Sequence, residues 1–169
     1  MTFWHIFKDS MKLPNKKSMF RLNRIGMDIV VFYLFILLFI VSIPSFIQQI
    51  TQTNSYINDL NIVFQIIYFF IFFYLPLNLI VFSFLSLIAY IGLGITRLMQ
   101  RKLRFSILWK MCAFTTTLPF IIYTILALFF PIDIEFLWIF ILYTLILLIK
   151  MISIYPKRRS RSWLIRHRK

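Results

Sequence analysis

The sequence predicts an all-α integral membrane protein: a four-span helical bundle with an N-terminal amphipathic helix at the membrane interface. Three observations predict it. Hydrophobic residues make up 61% and aromatic residues 20% of the 169 residues, beyond the roughly 45–50% apolar share of soluble domains. The apolar residues gather in long uninterrupted runs, as a bilayer requires. The 19 Lys and Arg, against five Asp and Glu, give a net charge of +14. They sit in short segments flanking the apolar runs, the pattern of contact with anionic headgroups rather than nucleic acid. The length fits a single membrane domain, 1–169, without an internal repeat.

Residues 1–26 are expected to be a cytoplasmic amphipathic and basic segment. Phe3, Trp4, Phe7 and Met11 recur at helical spacing, Lys8, Asp9 and Lys12 fill the other side, and Pro14 ends the pattern. A short helix lying in the interface with its aromatics in the headgroup boundary fits this; a disordered basic tail is the alternative. Lys16, Lys17, Arg21 and Arg24 then lead to the membrane. The first apolar run begins after this basic stretch and has no small-residue cleavage site, so it reads as a signal-anchor.

Span 1 is expected over 27–46, interrupted only by Asp28, Tyr33, Ser42 and Ser45, with Pro44 in its last turn. Residues 48–61 are polar, without Lys or Arg, and read as a loop. The apolar stretch 62–95 is ambiguous. As a helix it would be ~50 Å long, too long for one upright span. As two spans joined at 76–78 it would give halves of about 15 residues, short for crossing. One span over 70–96, tilted or kinked near Pro76, is therefore expected. The preceding turns would lie at the outer interface or on the bundle. Arg97, Arg101, Lys102, Arg104 and Lys110 form a basic loop before span 3, 111–130, which carries Thr115, Thr116, Thr117 and Pro119. Asp133 and Glu135 mark the next loop, span 4 follows at 136–155, and 156–169 is a basic cytoplasmic tail.

This arrangement segregates charge. Lys and Arg concentrate in cytoplasmic segments, and four spans with both termini inside put every cation but Lys150 on one side. Asp59, Asp133 and Glu135 fall on the other. A fifth span destroys the pattern.

Few residues suggest chemistry. Asp28 and Lys150 are ionisable residues inside spans, where charge is costly. One reading is an ion pair across the bundle. The simpler reading has Lys150 snorkelling to the headgroups and Asp28 favoured by a helix start. Ser83, Ser86, Ala89, Gly92 and Thr96 form a small-residue stripe, read as a helix-packing seam or, more sharply, a permeation path. Thr115–Thr117 with Pro119 suggests a kink whose freed carbonyl meets neighbouring hydroxyls, or a transporter hinge. Expected headgroup contacts are Lys8, Lys12, Lys16, Lys17, Arg21, Arg24, Arg101, Lys102, Arg104, Lys157, Arg158, Arg159 and Arg161. His5 and His167 lack partners at metal-ligand spacing, and no phosphate loop or nucleophile–base pair occurs. No catalytic, cofactor or metal residues are expected. Cys112, the single cysteine, reads as a packing residue.

The opening FWHIFKDSMKLPNKKSMFRLNRIG, the first span and the segment RKLRFSILWKMCAFTTTLP resemble a bacterial polytopic membrane-protein family of unknown function. Some of its members are labelled maltodextrin utilization protein. The resemblance covers both ends of the chain and implies a multi-span protein of the bacterial cytoplasmic membrane. It supplies no mechanism or catalytic residues. Members typically carry a longer segment between the first two spans than 48–61 here.

The function expected from these readings is a non-enzymatic accessory or scaffold protein. Its partners would be membrane lipids, with anionic headgroups on the cytoplasmic side, and another membrane protein or a further copy of the chain. The alternative is a small transporter or permease subunit, linked to carbohydrate uptake through the resemblance. With only three glycines, the chain offers little of the close packing that broken-helix transporters use. A membrane enzyme acting on lipid ranks behind both.

Overall fold

The computed structural model describes residues 3–51, 61–101, 103–129 and 136–156, with side chains omitted at 136 and 137. The described residues form helices joined by short turns. Three helical stretches are long and apolar enough to cross a membrane: Met27–Thr51, Ile62–Leu98 and Phe105–Phe129. A shorter apolar helix, Phe136–Ile154, follows. Their outer faces carry Phe32, Leu79, Tyr90, Trp138 and Leu142, all at least 60% exposed. Water does not tolerate so broad an apolar surface on a monomer, whereas hydrocarbon does.

Helix α1, Phe3–Met11, and α2, Lys16–Asn23, precede the first long apolar helix. The Asn15 side chain accepts the Lys17 amide at 3.1 Å and starts α2. The expected aromatic face of α1 is only half of the matter. Ile6 is the buried anchor, with Asp9 and Ser10 beside it, while Phe3, Trp4 and Met11 stay exposed. At about 100° per residue, Ile6, Asp9, Ser10 and Leu13 share a face that the aromatic set leaves open. That second face seats α1 on the bundle, so it is a docked helix rather than one held by headgroups alone.

Helix α3, Met27–Thr51, runs one turn beyond the expected span, with Pro44 inside it. Ile62–Leu98 is one continuous helical stretch of 37 residues. It comprises α4, Ile62–Phe69, a π-helical turn, Phe70–Tyr74, and α5, Leu75–Leu98. The expected separation of 62–69 from the span is thus not observed. The π turn sits just ahead of Pro76, whose ring would collide with the Phe72 carbonyl in a regular α turn; the Leu75 amide reaches back to the Phe70 carbonyl instead. The third long apolar stretch starts at Phe105, earlier than the expected span. It consists of α6, Phe105–Thr115, and α7, Thr117–Phe129. Lys110 therefore lies within a helix, not in a loop. Helix α8 is Phe136–Ile154.

Helix α6 is the central pillar. Every residue from Leu108 to Thr117 is buried, the mark of a helix surrounded by others. Leu34 of α3, Leu85 and Ala89 of α5, and Leu148 and Met151 of α8 join it in one core cluster, which Ile6, Met19 and Leu22 of the N-terminal pair extend. A smaller cluster of Leu38, Phe69 and Tyr74 closes the far end of α3 and α4.

Candidate functional site at the cationic end of the bundle

Four helix ends meet at one end of the molecule. The Ser106 hydroxyl lies 3.8 Å from the Met27 sulfur, joining the start of α6 to the start of α3. Arg101, just past α5, donates from Nη1 to the backbone carbonyl of Tyr155, just past α8. The Phe20 ring of α2 meets the Tyr155 ring edge-on at 5.6 Å. Of the basic residues read from the sequence, Arg101 and Lys110 lie at this end among the described residues.

Lys110 organises it. The side chain is buried, and Nζ donates to the carbonyls of Asn23 at 2.6 Å and Ile25 at 2.9 Å. These carbonyls lie at and just beyond the end of α2, where the helix leaves acceptors without amide partners. One ammonium from the middle of the chain thus fastens the N-terminal pair to the bundle. An ion pair, Arg21 Nη2 to Asp9 Oδ1 at 2.7 Å, clasps α1 to α2. Arg21 remains half exposed, so the clasp is worth only a modest amount.

The expected headgroup contacts divide accordingly. Lys8, Lys12, Lys16, Lys17, Arg24 and Arg104 are exposed. Arg21 and Arg101 depart from that expectation in having protein partners, Asp9 and the Tyr155 carbonyl. Lys102, Lys157, Arg158, Arg159 and Arg161 lie outside the described residues, as do Asp133 and Glu135.

Asp28 and Lys150 are not brought together. Both are exposed, and the ion pair among the described residues is Arg21–Asp9. Asp28 sits in the first turn of α3 and Lys150 near the end of α8. The small-residue stripe holds in part. Ala89 and Thr96 are fully buried, and the Trp109 indole donates to the Ser86 hydroxyl at 3.1 Å. A Cβ on Gly92 would lie 2.7 Å from Leu148 Cδ2, so α8 packs directly on the glycine. Ser83 is exposed and outside the seam. Steps of three residues drift by about 60° each, so three steps from Ser83 reach the opposite side at Gly92.

The threonine run resolves into local bonding plus one bond between helices. Pro119 lacks an amide for the Thr115 carbonyl, and the chain breaks between α6 and α7. The Thr115 and Thr116 hydroxyls donate to the carbonyls of Met111 and Ala113, each at 2.8 Å. Thr117 Oγ1 meets the Tyr33 hydroxyl at 2.9 Å, which joins α7 to α3 in the buried interior. Sequence reasoning missed this bond and the Lys110 anchor. The signal for Lys110 was its setting between Trp109 and Met111, a lone cation with apolar neighbours.

An open apolar groove of about 400 Å³ lies between α1, α3 and α7, lined by Trp4, Phe7, Tyr33, Ile36, Ile40 and Ile121. Among the described residues no three His, Cys, Asp or Glu side chains group together. A family model described as "Protein of unknown function (DUF1189)" matches residues 56–152, more than half of the chain, from the segment before α4 almost to the end of α8. No curated protein and no solved structure matches.

Proposed function

The chain belongs to the DUF1189 family of proteins of unknown function, and on that premise we propose a non-enzymatic accessory or scaffold role in a membrane. In this reading the protein crosses the bilayer four times, in a bacterial cytoplasmic membrane, with both termini in the cytoplasm. Its cationic end gathers anionic lipid and presents the docked N-terminal pair to another membrane protein.

The carrying observation is the contrast between the interior and the cationic end. Several hydroxyls within the helices are spent on their own backbone: Ser42 on Phe39, Thr96 on Leu93, Thr144 on Phe140. Such groups are satisfied and do not compose a solute path. The exposed cations Lys8, Lys12, Lys16 and Lys17 crowd the other region, where each is worth about 1 kcal/mol on an anionic surface.

The test is lipid selectivity. Full-length protein drawn from bilayers of equal phosphatidylglycerol and phosphatidylcholine should carry several-fold more of the anionic lipid. Neutralising Lys8, Lys12, Lys16 and Lys17 to Gln should cut that enrichment strongly. Equal carriage of both lipids by the unmodified protein would remove the reading.

The second reading, a small transporter or permease subunit for carbohydrate uptake, draws on the family label of maltodextrin utilization. It also draws on two helix discontinuities, the π turn at Phe70–Tyr74 and the break between α6 and α7, which could serve as hinges. It requires a cysteine at Thr117 to react with polar thiol reagents from both sides of the membrane.

A further inference from the structure

We propose that the apolar groove between α1, α3 and α7 holds one acyl chain of an anionic phospholipid, with Lys8 and Lys12 at its headgroup. The proposal rests on the reading of the protein as a membrane scaffold that gathers anionic lipid, and it gives that lipid a defined seat.

The groove runs from α1 along α3. The Phe3 ring meets the Phe32 ring at 6.1 Å, so α1 begins level with the second turn of α3. From there the groove passes Tyr33, Ile36 and Leu37 to Ile40, about 10 Å along the helix axis at ~1.5 Å per residue. Phe3, Trp4 and Phe7 line it from α1, and Ile121 from α7. Tyr33 turns its hydroxyl away onto Thr117 at 2.9 Å, which leaves its ring to the wall. The volume, about 400 Å³, falls in the ~300–1,000 Å³ range of small-ligand sites. Such a wall gives water almost no hydrogen-bonding partner. Ile36, Ile40 and Ile122 beside it are exposed, the kind of surface that hydrocarbon covers in a bilayer. An acyl chain is the narrow apolar group that the bilayer itself supplies.

Charge decides which lipid. Ile6 and Ser10 seat α1 on the bundle, both buried. At about 100° per residue, Lys8 falls about 40° beyond Trp4, on the flank turned away from that seat. Lys8 and Lys12 are exposed, and a long ammonium stem beside an aromatic face reaches a phosphate while the tail lies under the rings. The described residues offer these lysines little acidic company. Asp9 is taken by Arg21, and Asp28, exposed, stands against exposed Lys8, Lys12, Lys16 and Lys17. A second copy docked here about a two-fold axis would bring the same lysines of both copies together, and like charges across an interface are costly. An anionic headgroup complements them instead.

The experiment uses the full chain in bilayers of equal phosphatidylglycerol and phosphatidylcholine. A trace of either lipid carries a photoactivatable diazirine midway along one chain, and the labelled residues are mapped by peptide mass spectrometry. Labelling by phosphatidylglycerol should concentrate on Trp4, Ile36, Ile40 and Ile121, several-fold above Leu79 and Leu142 on other lipid-facing surfaces. The phosphatidylcholine probe should label the groove several-fold less. Ile40→Trp, at an exposed position, fills the groove and should abolish the excess without altering overall lipid carriage. Lys8→Gln and Lys12→Gln should each lower the preference for phosphatidylglycerol about fivefold, the worth of one lysine at an anionic surface. Even labelling of groove and other surfaces, equal labelling by the two probes, or an excess that survives Ile40→Trp overturns the site. So does a dimer in native mass spectrometry whose groove residues escape both probes, since a second copy then covers them. If overall enrichment of phosphatidylglycerol persists in any of these cases, the site alone falls and the wider anionic-lipid reading stands; if that enrichment is absent too, both fall.

Discussion

Single side chains do unequal work in this bundle, and charge alone does not say which. Lys110 is one of 19 basic residues, yet it joins residues more than 80 positions apart by two short hydrogen bonds. Lys110→Met keeps the length and apolar stem but leaves two carbonyls without their donor. The expected loss is roughly 3 kcal/mol, the scale of removing hydrogen bonds to a charged group. Thermal unfolding in detergent would measure it, and faster tryptic cutting after Lys12, Lys16 and Lys17 would show that the N-terminal pair had lifted. The Tyr33–Thr117 bond is a smaller matter. A double-mutant cycle of Tyr33→Phe and Thr117→Val should give a coupling of about 0.6 kcal/mol, the average for such bonds between membrane helices. At this scale the sequence was only partly legible. Residue type announced that Asp28 and Lys150 were unusual, but partnership depends on which helix faces which. Arg101, expected at headgroups, instead meets the end of α8 through a contact spanning 54 residues.

Helices were more legible than partners, because apolar run length is printed in the chain and packing angle is not. The π turn is the instructive exception. Along α4 and α5 the buried positions run Gln65, Phe69, Tyr74, Asn78 and Leu85. The five-residue step from Phe69 to Tyr74 would rotate an α-helical face by about 140°, and the π turn takes up the extra residue. Pro76 was visible from the start as a cause of bending, but the five-residue step was not, because residues 66–77 are apolar on every side and the sequence does not say which of them is buried. Deleting Phe72, which is exposed, should convert the turn to α and drive the Pro76 ring into the preceding carbonyl. The expected cost is about 3 kcal/mol, and adding Pro76→Ala should recover most of it in the same unfolding assay. The two glycines of α5 make a second contrast. Gly92→Leu must displace Leu148, and overpacking of this kind costs roughly 1–3 kcal/mol. At Gly94 a Cβ meets nothing within 4 Å, so Gly94→Ala should be neutral or raise stability by up to about 1 kcal/mol through helix propensity.

For the molecule as a whole, sidedness is an expectation from charge, and the contacts between helix ends supply the end of the molecule at which it can be tested. Charge leads one to expect the basic segments on one side; contacts place Asn23, Met27, Arg101, Ser106 and Tyr155 at one end. Sidedness in a living membrane can be measured by thiol labelling. In a Cys112→Ala background, cysteines at Asn54 and Asp133 should react with an impermeant reagent in intact cells, and one at Ser106 should not. Labelling at Ser106 would reverse the proposed orientation. The Lys110 anchor also carries a consequence for how the chain is made. Residues 3–25 are synthesised well before the ammonium that fastens them, which comes 85 residues after Ile25 and after both Met27–Thr51 and Ile62–Leu98. The N-terminal pair is therefore early in birth and late in assembly. Through that interval it lacks its Lys110 anchor, and chains arrested before residue 105 should be cut there by protease more readily than completed chains.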